Sequence, residues 1–268
     1  MDIYEKIAYT RSGKRPGATE YINALCDDFC ELHGDRYFGD DPAVVAGVAF
    51  LDDSPVTVIG IDKGRTTEEK IARKFGHADP EGYRKALRLM KQAEKFHRPV
   101  LCLVDTAGAN CGIGAEERGQ GSAIAENLYE MMTMKTPIIS VIIGEGGSGG
   151  ALALAVADSV WMCENSYYSV VSPEGCASIL WKDSSKAAAA AAALKPDAQS
   201  LKKLGVCDKI IDEPDDFSNE AARTEYFERL KTDISAEFKR LGAKSSRKLT
   251  EDRYARFRKV GAYDGNRN

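Results

Sequence analysis

Long apolar runs are missing from this sequence. The stretch Ile138 to Ile143, for example, is far shorter than the ~20 residues that a membrane-spanning helix needs. The first six residues, Met1 to Lys6, also lack the basic segment and apolar core of a secretory signal. A net charge of −4 gives no reason to expect binding to nucleic acid or to a membrane surface. These absences predict a cytoplasmic protein.

Paired cysteines and clustered histidines are missing as well. None of the seven cysteines belongs to a CxxC pair, and the two that lie closest together are Cys26 and Cys30. This scatter favours reduced thiols over disulfides or a zinc site. The three histidines, His33, His77 and His97, have no metal-ligand spacing and no evident Ser or Cys partner. We therefore predict that the chain binds no metal, and a Ser–His–Asp hydrolase has little support.

The first hundred residues contain signals for a helix and a hairpin. Apolar residues recur with the helical period from Thr19 onward, and Gly34 is expected to end this helix. Two β-rich runs follow, Val44–Phe50 and Val56–Ile61, with turn residues 52–55 between them. This arrangement predicts a β-hairpin.

A pattern of buried strand, glycine-rich loop and helix then occurs twice. In the first unit, the strand Val100–Val104 leads through the loop Ala107–Gly121 into a helix. In the second, the strand Ile138–Ile143 leads into a helix at Ser148–Ala157. Another helix, opened by Asp79-Pro80-Glu81, precedes both units. Successive units of this kind predict parallel strands with crossover helices, and hence an α/β fold.

We divide the chain into an N-terminal arm (1–17), a main domain (18–214) and a C-terminal helical segment for subunit docking (215–268). A run of seven alanines, 187–193, predicts a helix that packs closely or lies exposed. The apolar stripe of the last segment consists of Phe217, Ala221, Tyr226, Leu230, Ile234 and Phe238. The basic residues near its end, which we interpret as a solvated face, are Arg253, Arg256, Arg258 and Lys259.

The glycine-rich stretch 144–150 carries the strongest functional signal. It follows a buried strand and opens a helix, so its free N–H groups can bind a phosphate or stabilise an oxyanion. A P-loop would need a lysine after the last glycines, and none is present. The spacing matches GxGxxG, and Glu164 lies near the distance at which dinucleotide-binding proteins place an acid. Besides oxyanion stabilisation and dinucleotide binding, a third interpretation is that the stretch is glycine-rich only because the helix packs closely, with no role in catalysis.

A second loop, 105–109, follows the preceding strand. Loops at the carboxyl ends of adjacent parallel strands converge on one crevice, so both loops can aim N–H groups at one oxygen. Glu116 and Glu117 come shortly afterwards. Adjacent residues of a helix point in different directions, so we interpret these acids as first-turn residues of a helix rather than as a catalytic pair.

Several long stretches resemble the alpha subunit of the bacterial acetyl-CoA carboxylase carboxyltransferase, a family within the crotonase superfamily. The resemblance covers about residues 20–214. The matching stretches are 31–36 (ELHGDR), 63–65 (KGR), 80–90 (PEGYRKALRLM), 114–120 (GAEERGQ), 144–152 (GEGGSGGAL) and 172–182 (SPEGCASILWK). The resemblance implies a crotonase-like ββα superhelix (the ClpP/crotonase fold) for the main domain.

The resemblance also implies a function. Carboxybiotin on a biotin carboxyl carrier protein, loaded by biotin carboxylase, delivers a carboxyl group that converts acetyl-CoA to malonyl-CoA, the first committed step of fatty acid biosynthesis. The alpha subunit pairs with a beta subunit that carries a zinc ribbon, in an α2β2 heterotetramer. Biotin leaves as an anion that can itself accept the methyl proton, so this chemistry needs oxyanion donors rather than a side-chain base.

Site residues follow from the same resemblance. Gly149 and Gly150 match the pair whose N–H groups bind the biotin carbonyl, and Gly146 and Gly147 shape the turn. Further substrate-binding positions are expected at Gly108, Ala109, Ser172, Pro173, Glu174 and Gly175. In the first loop the family usually has Asp-Thr-Pro-Gly-Ala-Tyr-Pro-Gly, whereas this chain has DTAGANCG at 105–112. Without the two prolines and the tyrosine, the loop should be less rigid and its wall less apolar.

Three other functions stay open at this point. The chain could belong to another biotin-dependent acyl-CoA carboxyltransferase or decarboxylase, because the altered first loop leaves room for a related substrate. A crotonase-type hydratase or isomerase would share the fold, but it needs side-chain acids or bases that we do not find. A non-catalytic scaffold subunit would explain the altered stretch 107–111.

Overall fold

The computed structural model describes residues 1–261, which form a mixed eight-stranded sheet with helices on both faces. The strands are β1 (Asp27–Glu31), β2 (Val44–Leu51), β3 (Ser54–Ile61), β4 (Val100–Thr106), β5 (Ile138–Gly147), β6 (Ser159–Cys163), β7 (Tyr167–Ser169) and β8 (Lys209–Ile211). Their order is β1-β2-β3-β4-β5-β6-β8, and β7 pairs with the far end of β5. The first three strands are antiparallel, and from β3 onward all pairs are parallel.

Twelve helices and two short 3₁₀ turns lie within the described residues. The helices are α1 (Ile3–Arg11), α2 (Ala18–Leu25), α3 (Thr67–Ala72), α4 (Pro80–Lys95), α5 (Ile113–Glu117), α6 (Gln120–Thr133), α7 (Ser148–Leu152), α8 (Pro173–Trp181), α9 (Ala187–Leu194), α10 (Ala198–Lys203), α11 (Glu220–Gly242) and α12 (Ser246–Lys259). None of these helices has the length and apolar character needed to span a bilayer.

The sheet separates two apolar cores, because successive strand residues point to opposite faces. In β4, Val100 and Cys102 pack with α4 and α6 on one face. Leu101 and Leu103 pack with α2 and α11 on the other. Both faces of the parallel strands are therefore covered, and this burial accounts for their continuous apolar sequences.

The hairpin and the strand–loop–helix units are confirmed. β2 and β3 pair antiparallel up to Leu51 and Ser54, with only Asp52 and Asp53 between them. β4 and β5 pair in parallel, and Asp79 precedes α4 as its N-cap residue. The alanine run forms α9 as expected.

The helix predicted from Thr19 to Gly34 is wrong in its second half. α2 ends at Leu25, and residues 27–31 form the edge strand β1 instead. Asp27 and Asp28 are poor helix formers, and pairing with β2 overrides the local apolar pattern. Cys26 and Cys30 therefore do not share a helix, contrary to the prediction. The helix predicted at Ser148–Ala157 is also shorter, since the chain must turn into β6 by Ser159.

The first residues form a capped helix that packs on this chain. The Asp2 side chain accepts the Glu5 N–H, and the Glu5 side chain accepts the Asp2 N–H, both at 2.8 Å. This capping box starts α1, whose Ile7 packs against Tyr167 and Ala191. An acid at position 2 with a glutamate three residues later was the signal that could have predicted this helix.

The apolar stripe of α11 is buried in this chain's own core. Tyr226, Leu230 and Ile234 are at most 2% exposed and pack with the second apolar cluster, whereas Ala221 is exposed. Most of this stripe is therefore not a free surface for a partner. The docking role assigned to residues 215–268 stays a prediction, and part of that segment, 262–268, lies outside the described residues.

The interpretation of the C-terminal basic residues as a solvated face is wrong for Arg253. This side chain is 1% exposed and pairs with the Asp158 carboxylate, with 2.7 Å between Nη2 and Oδ2. Its guanidinium also donates to the carbonyl oxygens of Met131, Met134 and Thr136. All five N–H groups of the guanidinium have acceptors, and this makes the burial of its charge possible.

Candidate active site

Two loops meet at the carboxyl ends of β4 and β5, as expected for neighbouring parallel strands. Gly147 and Gly150 lie directly against the backbone of residues 107–109, so closely that a Cβ at either position would overlap main-chain atoms. At Gly150 that Cβ would come within 2.5 Å of the Ala109 nitrogen. The absent side chains are what allow the two loops to touch.

The turn between β5 and α7 is sharp. Ser148 has a φ of +43°, which is unusual for a residue other than glycine. With Gly147 as the N-cap residue, Gly149 and Gly150 stand in the first turn of α7. Helical N–H groups in this position have no acceptor within their own helix. The predicted oxyanion donors therefore lie at the start of α7, and their contact with biotin stays a prediction.

Gly149 and Gly150 differ in their surroundings. Gly150 is buried beneath the first loop, whereas Gly149 is half-buried. A Cβ at Gly149 would meet only the Ile124 side chain, at 3.8 Å. Gly149 also lines a pocket of about 480 Å³ whose other walls are largely apolar, including Leu152, Tyr168 and Phe257. Of the two glycines, Gly149 is the one that faces open space.

Hydrogen bonds hold the first loop in place. The Gly108 carbonyl accepts from the Thr106 hydroxyl at 2.8 Å and from His77 Nδ1 at 2.9 Å. The Asn110 amide donates to Asp79 at 2.7 Å, and the Gln120 amide donates to the Asn110 carbonyl at 3.1 Å. The expected loss of rigidity from the missing prolines is thus countered by polar contacts to the segment before α4.

A partly buried ion cluster, which the sequence did not reveal, lies at the ends of β3, β4 and β5. The Lys63 ammonium contacts Asp105 at 2.8 Å and Glu145 at 2.5 Å. Asp105 also accepts the Glu145 N–H at 2.8 Å. A Cβ at Gly144 would overlap the Asp105 carboxylate, so this glycine makes room for the cluster. The cluster joins the starts of both loops.

The charges in this cluster stabilise one another. Burial alone would raise the pKa of Glu145, but Lys63, the Tyr167 hydroxyl and Arg11 outweigh burial and lower that pKa to about 2. Burial opposes the charge of Lys63, yet Asp105 and Glu145 raise its pKa. Both groups therefore stay ionised near neutral pH, and neither is poised to exchange a proton.

The predicted residues 172–175 form the start of α8. The Ser172 hydroxyl accepts the Gly175 N–H at 3.0 Å, and Pro173 follows as the first helical residue. Glu174 pairs with Arg11 at 2.9 Å. These contacts assign structural roles to the four residues, and their contact with substrate stays a prediction.

Within the described residues, the structure does not support the other kinds of site that were considered from the sequence. Most of the GxGxxG stretch lies inside β5 and the helix after it has only five residues, so the phosphate-binding turn of dinucleotide enzymes is not formed. Glu116 and Glu117 are exposed, with Glu116 in the first turn of α5 and Glu117 at its end. Within residues 1–261 no group of three or more His, Cys, Asp or Glu side chains could hold a metal ion.

The chain is similar to known proteins over nearly its whole length. Residues 1–261 match the family model described as acetyl co-enzyme A carboxylase carboxyltransferase-like. The acetyl-coenzyme A carboxylase carboxyl transferase subunit alpha of Clostridium acetobutylicum is 54% identical over 260 residues, covering 97% of this chain and 94% of that protein. The subunits beta/alpha protein of Natranaerobius thermophilus is 55% identical, and the match covers 97% of this chain but only 43% of that longer protein.

Among solved structures, a Pseudomonas malonate decarboxylase hetero-tetramer in complex with coenzyme A superposes with a TM-score of 0.67. The alignment covers 90% of this chain and 96% of that chain at 18% identity, so it is a likeness of fold. The family match and the fold together define a carboxyltransferase subunit with the crotonase-like α/β fold. More narrowly, the chain belongs to the acetyl-CoA carboxylase carboxyltransferase family, and its Clostridium acetobutylicum relative is an alpha subunit.

Proposed function

We propose that this chain is the half of an acetyl-CoA carboxylase carboxyltransferase that receives carboxybiotin from its carrier protein and directs the carboxyl group to acetyl-CoA, yielding malonyl-CoA. The supporting observation is the position of Gly149, which stands in the first turn of α7 and lines a largely apolar pocket. Family membership supports the same reaction.

The residues present fit a bound biotin ring. Carboxybiotin would supply the carboxyl group, and because the biotin that remains is an anion, the site would have to favour negative charge on the ring oxygen. The N–H groups of Gly149 and Gly150 would hold that oxygen, and the short helix behind them adds its dipole. The apolar wall of the pocket, including Leu152 and Phe257, would cover the ring and exclude water. The ionised Lys63 and Glu145 hold the turn and move no proton.

A beta-type partner would complete the site. The apolar side chains of Val170, just before α8, and of Ile179 and Leu180, in its last turn, are 64–77% exposed and are available to a partner. The name of the Natranaerobius thermophilus protein, subunits beta/alpha, includes both the beta and the alpha subunit. We therefore infer an α2β2 assembly in which a zinc-bearing beta subunit binds acetyl-CoA, and biotin carboxylase recharges the carrier protein.

The proposal extends to organisation and location. Residues 18–214 would form the carboxyltransferase domain, with 1–17 and 215–268 as supporting segments. All seven cysteines are free thiols, which supports a reducing compartment, the cytoplasm. Within this chain we assign no metal; the zinc of the complex would belong to the beta subunit.

The test is co-expression with the candidate beta subunit followed by a malonyl-CoA decarboxylation assay with free biotin. We expect biotin-dependent turnover by the complex and none by either subunit alone. Methylmalonyl-CoA in a parallel assay tests for a related acyl-CoA substrate. Robust turnover by the isolated chain would contradict the shared site, and an assembled complex without turnover on either substrate would support a scaffold.

A further inference from the structure

One arginine of the N-terminal helix contacts both predicted site segments. Arg11 Nε donates to Glu145 at 2.9 Å, and Nη1 donates to Glu174 at 2.9 Å. Nη2 donates to the Tyr167 hydroxyl at 3.1 Å. Three donors of one rigid, planar group therefore reach three acceptors on three separate elements.

Each acceptor controls the position of a site segment. Glu145 lies in β5 four residues before Gly149, and Tyr167 lies opposite it in β7, whose pairing with β5 continues to Gly147. The Tyr167 hydroxyl also donates to the Glu145 carboxylate. Glu174 is the second helical residue of α8. Arg11 thus ties the strand that leads into the glycine turn to the start of α8.

We propose that Arg11 is a positioning residue for carboxyl transfer, which sets the distance between the turn at 144–150 and the segment 172–175. This inference rests on the function proposed above. The N-terminal arm (1–17) then has a task in the candidate active site of its own chain. A planar guanidinium can hold all three acceptors at fixed angles, whereas a lysine offers one point charge.

The ion cluster allows this role to be separated from a role in folding. Without Arg11, Glu145 keeps its 2.5 Å contact with Lys63, so no buried carboxylate is left without a cation. The Arg11 side chain is also 34% exposed, and its removal opens no closed cavity. Arg11→Gln should therefore fold and assemble while the two site segments lose their common anchor.

The experiment compares Arg11→Gln and Arg11→Lys in the complex with the beta subunit. Displacement of reacting groups by a fraction of an ångström lowers turnover strongly, so we expect kcat to fall at least about tenfold in both variants. The KM for biotin should rise and the KM for malonyl-CoA should stay unchanged. Arg247→Gln, which removes an exposed pair with Glu251 on α12, is the matched control.

A double variant tests whether Arg11 acts through its contact with Glu174. Arg11→Gln combined with Glu174→Gln should be little worse than Arg11→Gln alone, because both changes break the same contact. Kinetic constants within twofold of the unaltered complex, or independent effects of the two changes, would overturn the proposal. So would a loss of assembly that accompanies the loss of turnover, because Arg11 would then act through folding.

Hydrogen exchange provides a readout that does not depend on activity. Peptides covering 144–150 and 172–175 should both exchange faster in Arg11→Gln, and peptides of α4 should not change. Unchanged exchange in the two site segments would overturn the inference even if the unaltered complex were inactive. An inactive but correctly protected complex would count against the proposed function alone.

Discussion

Gly149 and Gly150 are neighbours in the chain, yet only one of them has room for a side chain. A Cβ at Gly150 would overlap the Ala109 nitrogen, so substitution there should disturb packing and catalysis together. Gly149 has only Ile124 in van der Waals range of an added Cβ. The two positions therefore test different properties of the turn.

We expect Gly149→Ala to keep the thermal stability of the chain while turnover of the complex falls roughly 10²-fold, the size of one lost oxyanion donor. The added methyl would lie beside Ile124, next to the proposed N–H donor, and would hinder the approach of the ring oxygen. Gly150→Ala, measured beside it, should lower Tm as well as turnover. Thermal unfolding measures the Tm of each variant, and steady-state kinetics measure its turnover. Normal turnover of Gly149→Ala would exclude this glycine from the mechanism.

The ion cluster predicts a pH dependence of stability. The pKa of Glu145 falls from 4.5 to about 2 on folding. A lowered carboxyl pKa stabilises the fold above the unfolded value and ceases to do so as the pH falls through the folded value. The unfolding free energy of the unaltered chain should therefore exceed that of Glu145→Gln most above about pH 5, and the gap should close toward pH 2.

Urea unfolding at a series of pH values measures this gap. Glu251→Gln, on the exposed face of α12, is the control and should show no such trend. A gap between the unaltered chain and Glu145→Gln that stays constant from pH 6 to pH 2.5 would contradict the assigned charge.

The glycines of the turn could be recognised from the sequence, but the charged residues around them could not, and the reason is physical. A glycine-rich turn after a buried strand is a local pattern, so neighbouring residues in the sequence are enough to predict it. Glu145 meets Lys63 and Arg11 only after folding, across 82 and 134 residues of chain. Such pairs leave no mark on local periodicity, and for the same reason Arg253 was predicted to lie in water.

Among the elements, the alanine helix α9 shows how an unvarying sequence acquires two faces. Ala190 and Ala191 are completely buried, whereas Ala192 and Ala193 are exposed. Ala191 packs with Ile7 of α1. Composition predicted the helix, but only packing could show which alanines need to be small.

Ala191→Leu should destabilise the chain by about 1–3 kcal/mol, because the larger side chain has no space between α9 and α1. Ala192→Leu adds the same atoms on the exposed face and should change the unfolding free energy by less than about 0.5 kcal/mol. Chemical denaturation of both variants provides the comparison. Equal effects of the two changes would show that α1 does not pack here.

Edge strands were harder to predict than central elements. The hairpin and α4 combine strong periodicity with turn or cap residues, so local and tertiary preferences agree. β1 has the sequence DDFCE, with little strand character, and it exists because β2 offers an unpaired edge.

For the molecule as a whole, Arg253 joins α12 to the sheet. Its guanidinium is held by Asp158 at the start of β6 and by carbonyls at the end of α6. We expect Arg253→Met to cost about 3–5 kcal/mol, because it leaves Asp158 buried without its cation. Arg258→Met, an exposed arginine of the same helix, should be nearly neutral in the same denaturation experiment.

Restoring the charge balance provides a further check. Asp158→Asn in the Arg253→Met background removes the unpaired carboxylate, so the double variant should recover part of the lost stability. A double variant less stable than Arg253→Met would argue that Asp158 has a second role.

The contacts of Arg11 also have a consequence for the time course of folding. The Arg11–Glu174 contact closes a loop of 163 residues, and the Arg253–Met131 contact closes one of 122. Long-range closures of this kind slow folding, since chain entropy is lost before the contact forms. Local pieces such as the β2–β3 hairpin can form early, whereas the geometry around the glycine turn has to wait until distant parts of the chain have met. Competence for catalysis is therefore expected to be among the last properties that a refolding chain acquires.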